Sequence, residues 1–240
     1  MTELVFRDTP YARDVEAKVV GVNERGGIVL DRTIFYATGG GQPGDCGLLE
    51  VEGLGTVPIA TTVYDEAREI VHVPAEGADL PEPGTPVRAV LDWERRHRHM
   101  RMHTCLHLLC AVLPFPVTGG QIGADAARLD FDIQDASLAD KEELTRQLNA
   151  LIGEDHGVSE RWIADEELAA QPELVRTMSV KPPMGSGRVR LVAIGEAGAV
   201  DLQPCGGTHV ASTAEIGTVV VAKIEKKGRQ NRRVRVAFAD

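Results

Sequence analysis

His103-Thr104-Cys105-Leu106-His107 sets two imidazoles four residues apart, and far downstream Cys205-Gly206-Gly207-Thr208-His209 sets a thiol and an imidazole at the same spacing. On a helix, an i, i+4 offset puts both rings of the first pair on one face, about one turn apart. His103, His107, Cys205 and His209 together make a Cys/His donor set of the kind zinc prefers, at roughly 2.0–2.3 Å from the ion. A fold that uses them as one site must bring two distant segments of the second half of the chain together. Each motif also has an ordinary reading. A helical His pair is commonly part of a solvated face, and Cys205 can be a small buried residue with Gly206-Gly207 as a plain turn. Two glycines between ligands do admit backbone angles that other residues resist. Cys110 follows His107 by three residues on the same helical face and is an alternative thiol ligand, whereas Cys105 points elsewhere.

The chain has 240 residues, enough for one large domain or two smaller ones. Its 43% hydrophobic and 26% charged content is that of a folded globular protein. The first residues show no secretory signal, and no apolar stretch approaches the length needed to cross a bilayer. The four scattered cysteines do not form a disulfide framework, since Cys105, Cys110 and Cys205 gather around the proposed site. A cytoplasmic protein with no membrane partner is expected. The formal net charge of −10 argues against indiscriminate nucleic-acid binding but leaves room for a local basic surface. Two runs are basic: residues 95–101, beginning at Arg95, and residues 223–235, where Glu225 is the only acid. Each can be a solvated face. Arginines in the first turns of a helix oppose its dipole, which favours a purpose for the first run.

Residues 15–22, 27–30, 57–63, 69–73 and 87–91 are β-rich and separated by Gly or Pro. Residues 24–27 read as a hairpin turn, and the proline-rich 81–86 as a loop that brings in the last strand. A small β-barrel or sandwich follows for the first ninety residues or so. Asp92 is placed to cap a helix running to about Leu113, where Pro114 and Pro116 stop it. After a Gly-Gly turn, residues 127–133 alternate as a strand, and Ser137 opens a second helix with Leu144, Leu148, Leu151 and Ile152 at helical spacing. Residues 158–163, 189–194, 218–224 and 233–238 read as further strands. The fold class is therefore α+β: a small N-terminal β-barrel over residues 1–91, then an α+β domain over residues 92–240 with helices against an antiparallel sheet.

HxxxH, the Arg-Leu-Asp-Phe-Asp strand at 128–132 and Cys-Gly-Gly-Thr-His-Val at 205–210 are similar to the editing domain of alanyl-tRNA synthetases. The segment Asp201-Leu202-Gln203-Pro204-Cys205 and the tail at 226–233 look more like its free-standing relatives, the AlaX proteins, which hydrolyse mischarged tRNA. Phe35-Tyr36-Ala37-Thr38-Gly39-Gly40-Gly41-Gln42-Pro43-Gly44-Asp45 resembles the glycine-rich motif of the longer members. Gly-Gly-Gln is also the signature of peptide-chain release factors, but Tyr36 and Pro43-Gly44-Asp45 fit the editing family. The matches run from about residue 30 to the C-terminus, and no aminoacylation domain is expected.

The resemblance implies a trans-acting, ATP-independent deacylase that cuts the ester joining serine, or glycine as a second candidate, to the terminal ribose of tRNA(Ala). A synthetase pocket for alanine discriminates against such close analogues by only about 1–3 kcal/mol, so a second hydrolytic site is needed. One Zn²⁺ per chain would be held by His103, His107, Cys205 and His209. With an open position it would activate water or polarise the carbonyl, whereas with all four ligands retained it would mainly shape the pocket. Cys205 and His103 then stand at the catalytic centre, and Thr118 and Gln121 are candidates for reading the serine hydroxyl, with a polar turn as the alternative. Thr104 is assigned to packing. Asp130 and Asp132 share a strand face and either support a ligand histidine or face solvent. Gly39, Gly40, Gly41 and Gln42 are either a simple turn or, with Arg95, a contact to the acceptor end. Lys226, Lys227, Arg229, Arg232 and Arg233 are assigned to phosphates. A monomer is expected. The competing readings are a zinc-stapled RNA-binding module without catalysis and a zinc-dependent hydrolase of some other ester.

Overall fold

Strict alternation of small apolar and polar residues, bounded by glycines, dictates strands rather than helices through most of the first ninety residues. The computed structural model describes residues 2–133, 140–178 and 187–239. The chain divides into two units, residues 1–97 and 98–240. The first holds β1 (Glu3–Leu4), α1 (Val5–Asp8), β2 (Asp14–Val22), β3 (Ile28–Leu30), β4 (Arg32–Thr33), β5 (Gly47–Val51), β6 (Gly55–Tyr64), β7 (Ile70–Pro74) and β8 (Pro86–Leu91). Six of these close into a barrel in the order β2-β3-β7-β6-β5-β8. Every neighbouring pair is antiparallel. The inward positions of the alternation, including Val19, Leu30, Leu49, Val57, Ile59, Val87 and Ala89, fill the interior.

The expected hairpin forms between β2 and β3, with Gly26 at φ 79° where a side chain would be strained. β5 is not legible in the sequence, because Gly-Leu-Leu-Glu-Val directly after a glycine-rich stretch is too short to show a period. Among the polar groups sealed into this unit, His72 and the Arg96–Asp45 pair stand out. His72 is fully buried, with Nδ1 3.1 Å from the Ile28 carbonyl and Nε2 2.8 Å from Thr33 Oγ1. The first contact makes Nδ1 the donor and leaves Nε2 to accept from the threonine. Burial pulls its pKa down to about 4. The Arg96 guanidinium, equally buried, clasps Asp45 from Nε at 2.9 and 3.0 Å and from Nη2, which also donates to the Ile34 carbonyl at 2.7 Å.

The division between the units falls within α2 (Trp93–Val112), whose first turn is capped as expected: Asp92 Oδ1 accepts from the Arg95 amide at 3.1 Å. β9 (Val117–Ile122), β10 (Ala126–Asp132), α3 (Lys141–Gly153), β11 (Val158–Ala164), α4 (Asp165–Ala169), β12 (Arg188–Ile194), β13 (Asp201–Pro204), β14 (Val219–Lys226) and β15 (Asn231–Phe238) follow. They build two antiparallel sheets, β14-β15-β10-β9 and β11-β12-β13. Gly119-Gly120, expected as a turn, instead lies inside β9. There a Cβ on Gly120 would stand 2.9 Å from the Leu129 side chain of β10, so the glycine permits close strand packing. The proposed cap Ser137 lies outside the described residues, and α3 is capped by Asp140, which accepts from the Glu143 amide at 2.7 Å. α3 also closes an exposed sheet edge. Asn149 exchanges hydrogen bonds with the Val219 carbonyl and amide at 2.7 and 3.0 Å, and Thr145 Oγ1 accepts from the Val221 amide at 3.0 Å, satisfying ladder groups of β14. Among the described residues no helix is long and apolar enough to cross a membrane.

Candidate metal centre

α2 presents His103 and His107 from consecutive turns of one face, their ring centroids 5.5 Å apart. The segment after β13 brings Cys205 and His209 to the same place. His209 lies 4.2 Å from the His103 ring and 4.7 Å from the His107 ring. One ligand atom from each of the four residues falls within 4.8 Å of every other. Cys205 Sγ is 3.4 Å from His103 Nε2 and 3.3 Å from His209 Nε2. Those two sulfur–nitrogen separations match edges of a tetrahedron whose bonds to a central ion are roughly 2.0–2.3 Å. The three histidines are buried, Cys205 is half-buried, and Gly206 next to it is exposed.

The ring nitrogens are already assigned by their neighbours. His107 Nδ1 donates to Asp201 Oδ2 at 2.8 Å, which leaves Nε2 for the cluster. Gln203 Nε2 donates to the same carboxylate oxygen at 2.8 Å. His209 Nδ1 sits 3.2 Å from Thr104 Oγ1, and that hydroxyl lies 3.0 Å from the Met100 carbonyl. Thr104 therefore orients a ligand as well as packing, which corrects its assignment to packing alone. A carboxylate behind His107 and a hydroxyl behind His209 fix tautomer and ring plane in two of the three imidazoles, as in most metal-bound histidines.

Electrostatics favour a cation here. Burial by itself lowers the His107 pKa, but the Asp201 carboxylate and the Cys205 sulfur outweigh it and raise it to about 10. Burial alone pushes the Cys205 thiol up, yet His103 and His209 hold it well below the usual thiol range, which favours the thiolate. Burial and the neighbouring His103 drive His209 well below the ordinary imidazole value. A metal ion requires the thiolate that these histidines favour, and its binding would displace the extra proton that His107 holds at pH values below about 10. Cys110, the alternative ligand, is not part of the cluster; burial pushes its thiol up to about 12, as it does that of Cys105.

Two supports are missed by reading the sequence alone. Asp201 is one. Asp201 and Gln203 alternate on β13 and Cys205 follows just past its end, so this i, i+2, i+4 spacing is the signal that could have found it. Arg190 is the other. It donates from Nη1 to the Cys205 and Gly207 carbonyls, both at 2.9 Å, and binds Glu160 at 2.6 and 2.8 Å. The ligand-bearing turn is thus clamped by a guanidinium. The role expected for its glycines changes accordingly: Gly206 is not in the left-handed region, and a Cβ there would meet nothing within 4 Å. Its effect is to leave the surface beside Cys205 open.

The other candidates make contacts of their own. Thr118 is on β9, its hydroxyl 3.1 Å from both the Asp130 carbonyl and Asn231 Oδ1. Gln121 is exposed on β9 and accepts from Arg128 at 3.3 Å. Asp130 is held below the usual carboxylate range by its hydrogen bond to Arg233, and it binds that guanidinium at 2.7 and 2.8 Å. Arg232 is buried, while Lys226, Lys227 and Arg229 are exposed around the β14–β15 turn. In the first unit, Gly39 and Gln42 exchange backbone hydrogen bonds at 3.1 and 2.9 Å around Gly40 and Gly41 at φ 56° and 85°. That is a tight turn of type I′ geometry, which only glycine adopts without strain at both positions. Gln42 is buried beneath it, and Arg95 donates to the Gly44 carbonyl at 2.9 Å.

Residues 189–235, which carry the thiol ligand and its clamp, match the second additional domain of threonyl and alanyl tRNA synthetases. Residues 8–95 match class II (A) tRNA synthetases. The alanyl-tRNA editing protein AlaX-M of Methanosarcina acetivorans is 34% identical over the full length of both chains. That of Saccharolobus solfataricus is 31% identical over 98% of each. Alanine–tRNA ligase of Pyrobaculum arsenaticum is 35% identical over 94% of this chain and 25% of its own. Matched end to end by free-standing proteins and only in part by the ligase, the chain belongs to the alanyl-tRNA editing protein family, AlaX.

Proposed function

We propose that this chain is a trans-acting aminoacyl-tRNA deacylase that hydrolyses Ser-tRNA(Ala), and Gly-tRNA(Ala) as a second substrate, at one Zn²⁺ held by His103, His107, Cys205 and His209. The observation that carries this reading is the convergence of the four ligand atoms within 4.8 Å, with two imidazoles already oriented by Asp201 and Thr104. A Cys/His set without a nearby carboxylate ligand suits zinc better than calcium or magnesium. When bound, the ion would supply a Lewis acid for the ester carbonyl or, with all four ligands retained, a rigid floor for the pocket.

The chain's own residues supply position. Arg190 holds the Cys205 turn, Asp201 keeps Nε2 of His107 directed inward, and the open surface at Gly206 leaves the sulfur side reachable. Serine differs from alanine by one hydroxyl, so editing must recognise that group while a synthetase pocket only tolerates it. Thr118 and Gln121 retain that assignment from β9. The exposed Lys226, Lys227 and Arg229 suit phosphate contacts, and Arg233, anchored to Asp130, fixes the hairpin that carries them. In this reading residues 1–91 form the barrel domain and 92–240 the editing domain of a cytoplasmic monomer.

The test is release of serine from purified Ser-tRNA(Ala), with Ala-tRNA(Ala) alongside and the zinc content of the same sample recorded. Loss of serine with alanine spared, at one zinc per chain, supports the deacylase. A folded, zinc-replete sample that binds tRNA and releases nothing rejects it in favour of an RNA-binding module stapled by the ion, which a closed four-ligand set also suits.

A further inference from the structure

We propose that Trp162 and Arg188 form a stacking subsite for the 3′-terminal base of an RNA whose esterified ribose reaches the metal cluster; the second half of that statement rests on the deacylase reading. Strand register places these side chains. Trp162 stands opposite Arg190 and Glu160 opposite Val192 across β11 and β12. Val192 stands opposite Gln203 and Ile194 opposite Asp201 across β12 and β13. Directly opposed residues project from the same side of a sheet, and alternate residues along a strand share that side. Trp162, Arg188, Arg190, Gln203 and Asp201 therefore belong to one face. The opposite face carries Ile163, Val189 and Leu191, packed with Leu168 into a core.

That shared face changes character along its length. At one end Asp201 orients His107, and Arg190 grips the carbonyls of Cys205 and Gly207. Beside Arg190, on the edge strand, Trp162 keeps 38% of its surface exposed. The Arg188 guanidinium lies 4.5 Å from its ring centre. The Cys205 amide donates to the Arg190 carbonyl at 3.1 Å, so Cys205 and Trp162 flank the same residue from either side. Two strand spacings separate them, roughly 10 Å. The base of an aminoacylated terminal nucleotide is joined to the very ribose that bears the ester, so one nucleoside can span from the indole to the ligands.

An exposed indole backed by a guanidinium is how proteins hold unstacked bases: every base offers a π-face, and the arginine adds cation–π attraction and charge toward the phosphate. Toward Val192 and Ile194 the same face is buried, whereas at Trp162 and Arg188 it is exposed.

Trp93 and Trp162 are the two tryptophans, so a Trp93→Phe variant leaves Trp162 as the sole indole reporter. The probe is an uncharged RNA hairpin with a single-stranded 3′ tail ending in adenosine, compared with the same hairpin without the tail. Saturable quenching by the tailed hairpin alone is expected. No quenching, or equal quenching by both, overturns the subsite. In turnover of Ser-tRNA(Ala), Trp162→Ala should raise KM about tenfold, with kcat and zinc content little changed and Trp162→Phe restoring most of the loss. Serine release by Trp162→Ala with an unaltered KM overturns the subsite and leaves the deacylase standing. Tail-dependent quenching by a protein that releases no serine supports the subsite and rejects the deacylase.

Discussion

Asp201 occupies a place where a single carboxylate oxygen serves both an imidazole and an amide. It accepts from His107 Nδ1 and Gln203 Nε2, each at 2.8 Å, and is itself buried. Groups that orient a metal-bound histidine in this way typically matter by about 10–100-fold in affinity. Asp201→Ala is therefore expected to weaken zinc binding by that order, and Asp201→Asn by less because its amide oxygen can still accept. Competition with a chromophoric chelator measures both, and equal affinity in all three proteins would remove Asp201 from the site. The sequence shows the four candidate ligands because each pair is local: a helical repeat in one motif, a five-residue turn in the other. It does not show Asp201 or Arg190 as supports, since their partners lie far away in the chain: helix packing brings His107 to Asp201, and strand register brings Glu160 and the Cys205 turn to Arg190.

At the scale of the element, the barrel carries two buried polar devices with different liabilities. Arg96 and Asp45 are sealed together, so Arg96→Met strands a carboxylate in a low dielectric and should cost about 3–5 kcal/mol. Adding Asp45→Leu should return much of that loss, as urea unfolding of the single and double variants would reveal. His72 responds to pH instead. Its folded pKa is pulled down to about 4 from an ordinary 6.5. The unfolded chain therefore binds the extra proton first as pH falls, and stability is complete above about 6.5 and declines toward 4. A shift of that size corresponds to about 3 kcal/mol. Unfolding midpoints at pH 7 and pH 4.5 should differ more in the parent than in His72→Gln, and an identical pH response would dismiss His72 as the cause. The alternation in β6 and the prolines before β8 are readable because strand period and proline geometry are local. β9 is not, because Gly119-Gly120 has the composition of a turn and only contact with Leu129 explains it as strand.

The molecule as a whole is acidic, with a formal net charge of −10, so any attraction for a polyanion must come from a local surface. The exposed Lys226, Lys227 and Arg229 at the β14–β15 turn are that surface in the proposed function. Replacing all three by alanine should weaken tRNA binding and flatten its salt dependence by roughly one unit of log–log slope for each phosphate no longer neutralised. An unchanged slope across a salt series would place the phosphate-binding surface elsewhere. Arg232 and Arg233 read in the sequence as part of the same basic run, yet one is buried and the other is bound to Asp130. What the sequence alone determined were the features that follow from near neighbours: strand and helix periods, the Asp92 cap, the turn glycines between β2 and β3, and the two histidine-bearing motifs from which a metal site could be built. What only the tertiary structure decided was which charges are spent inside the fold, which thiol joins the histidines, and which residues stand behind them. The physical reason is that spacing along the chain fixes direction within one element, whereas burial and pairing depend on a second element that the local sequence does not specify.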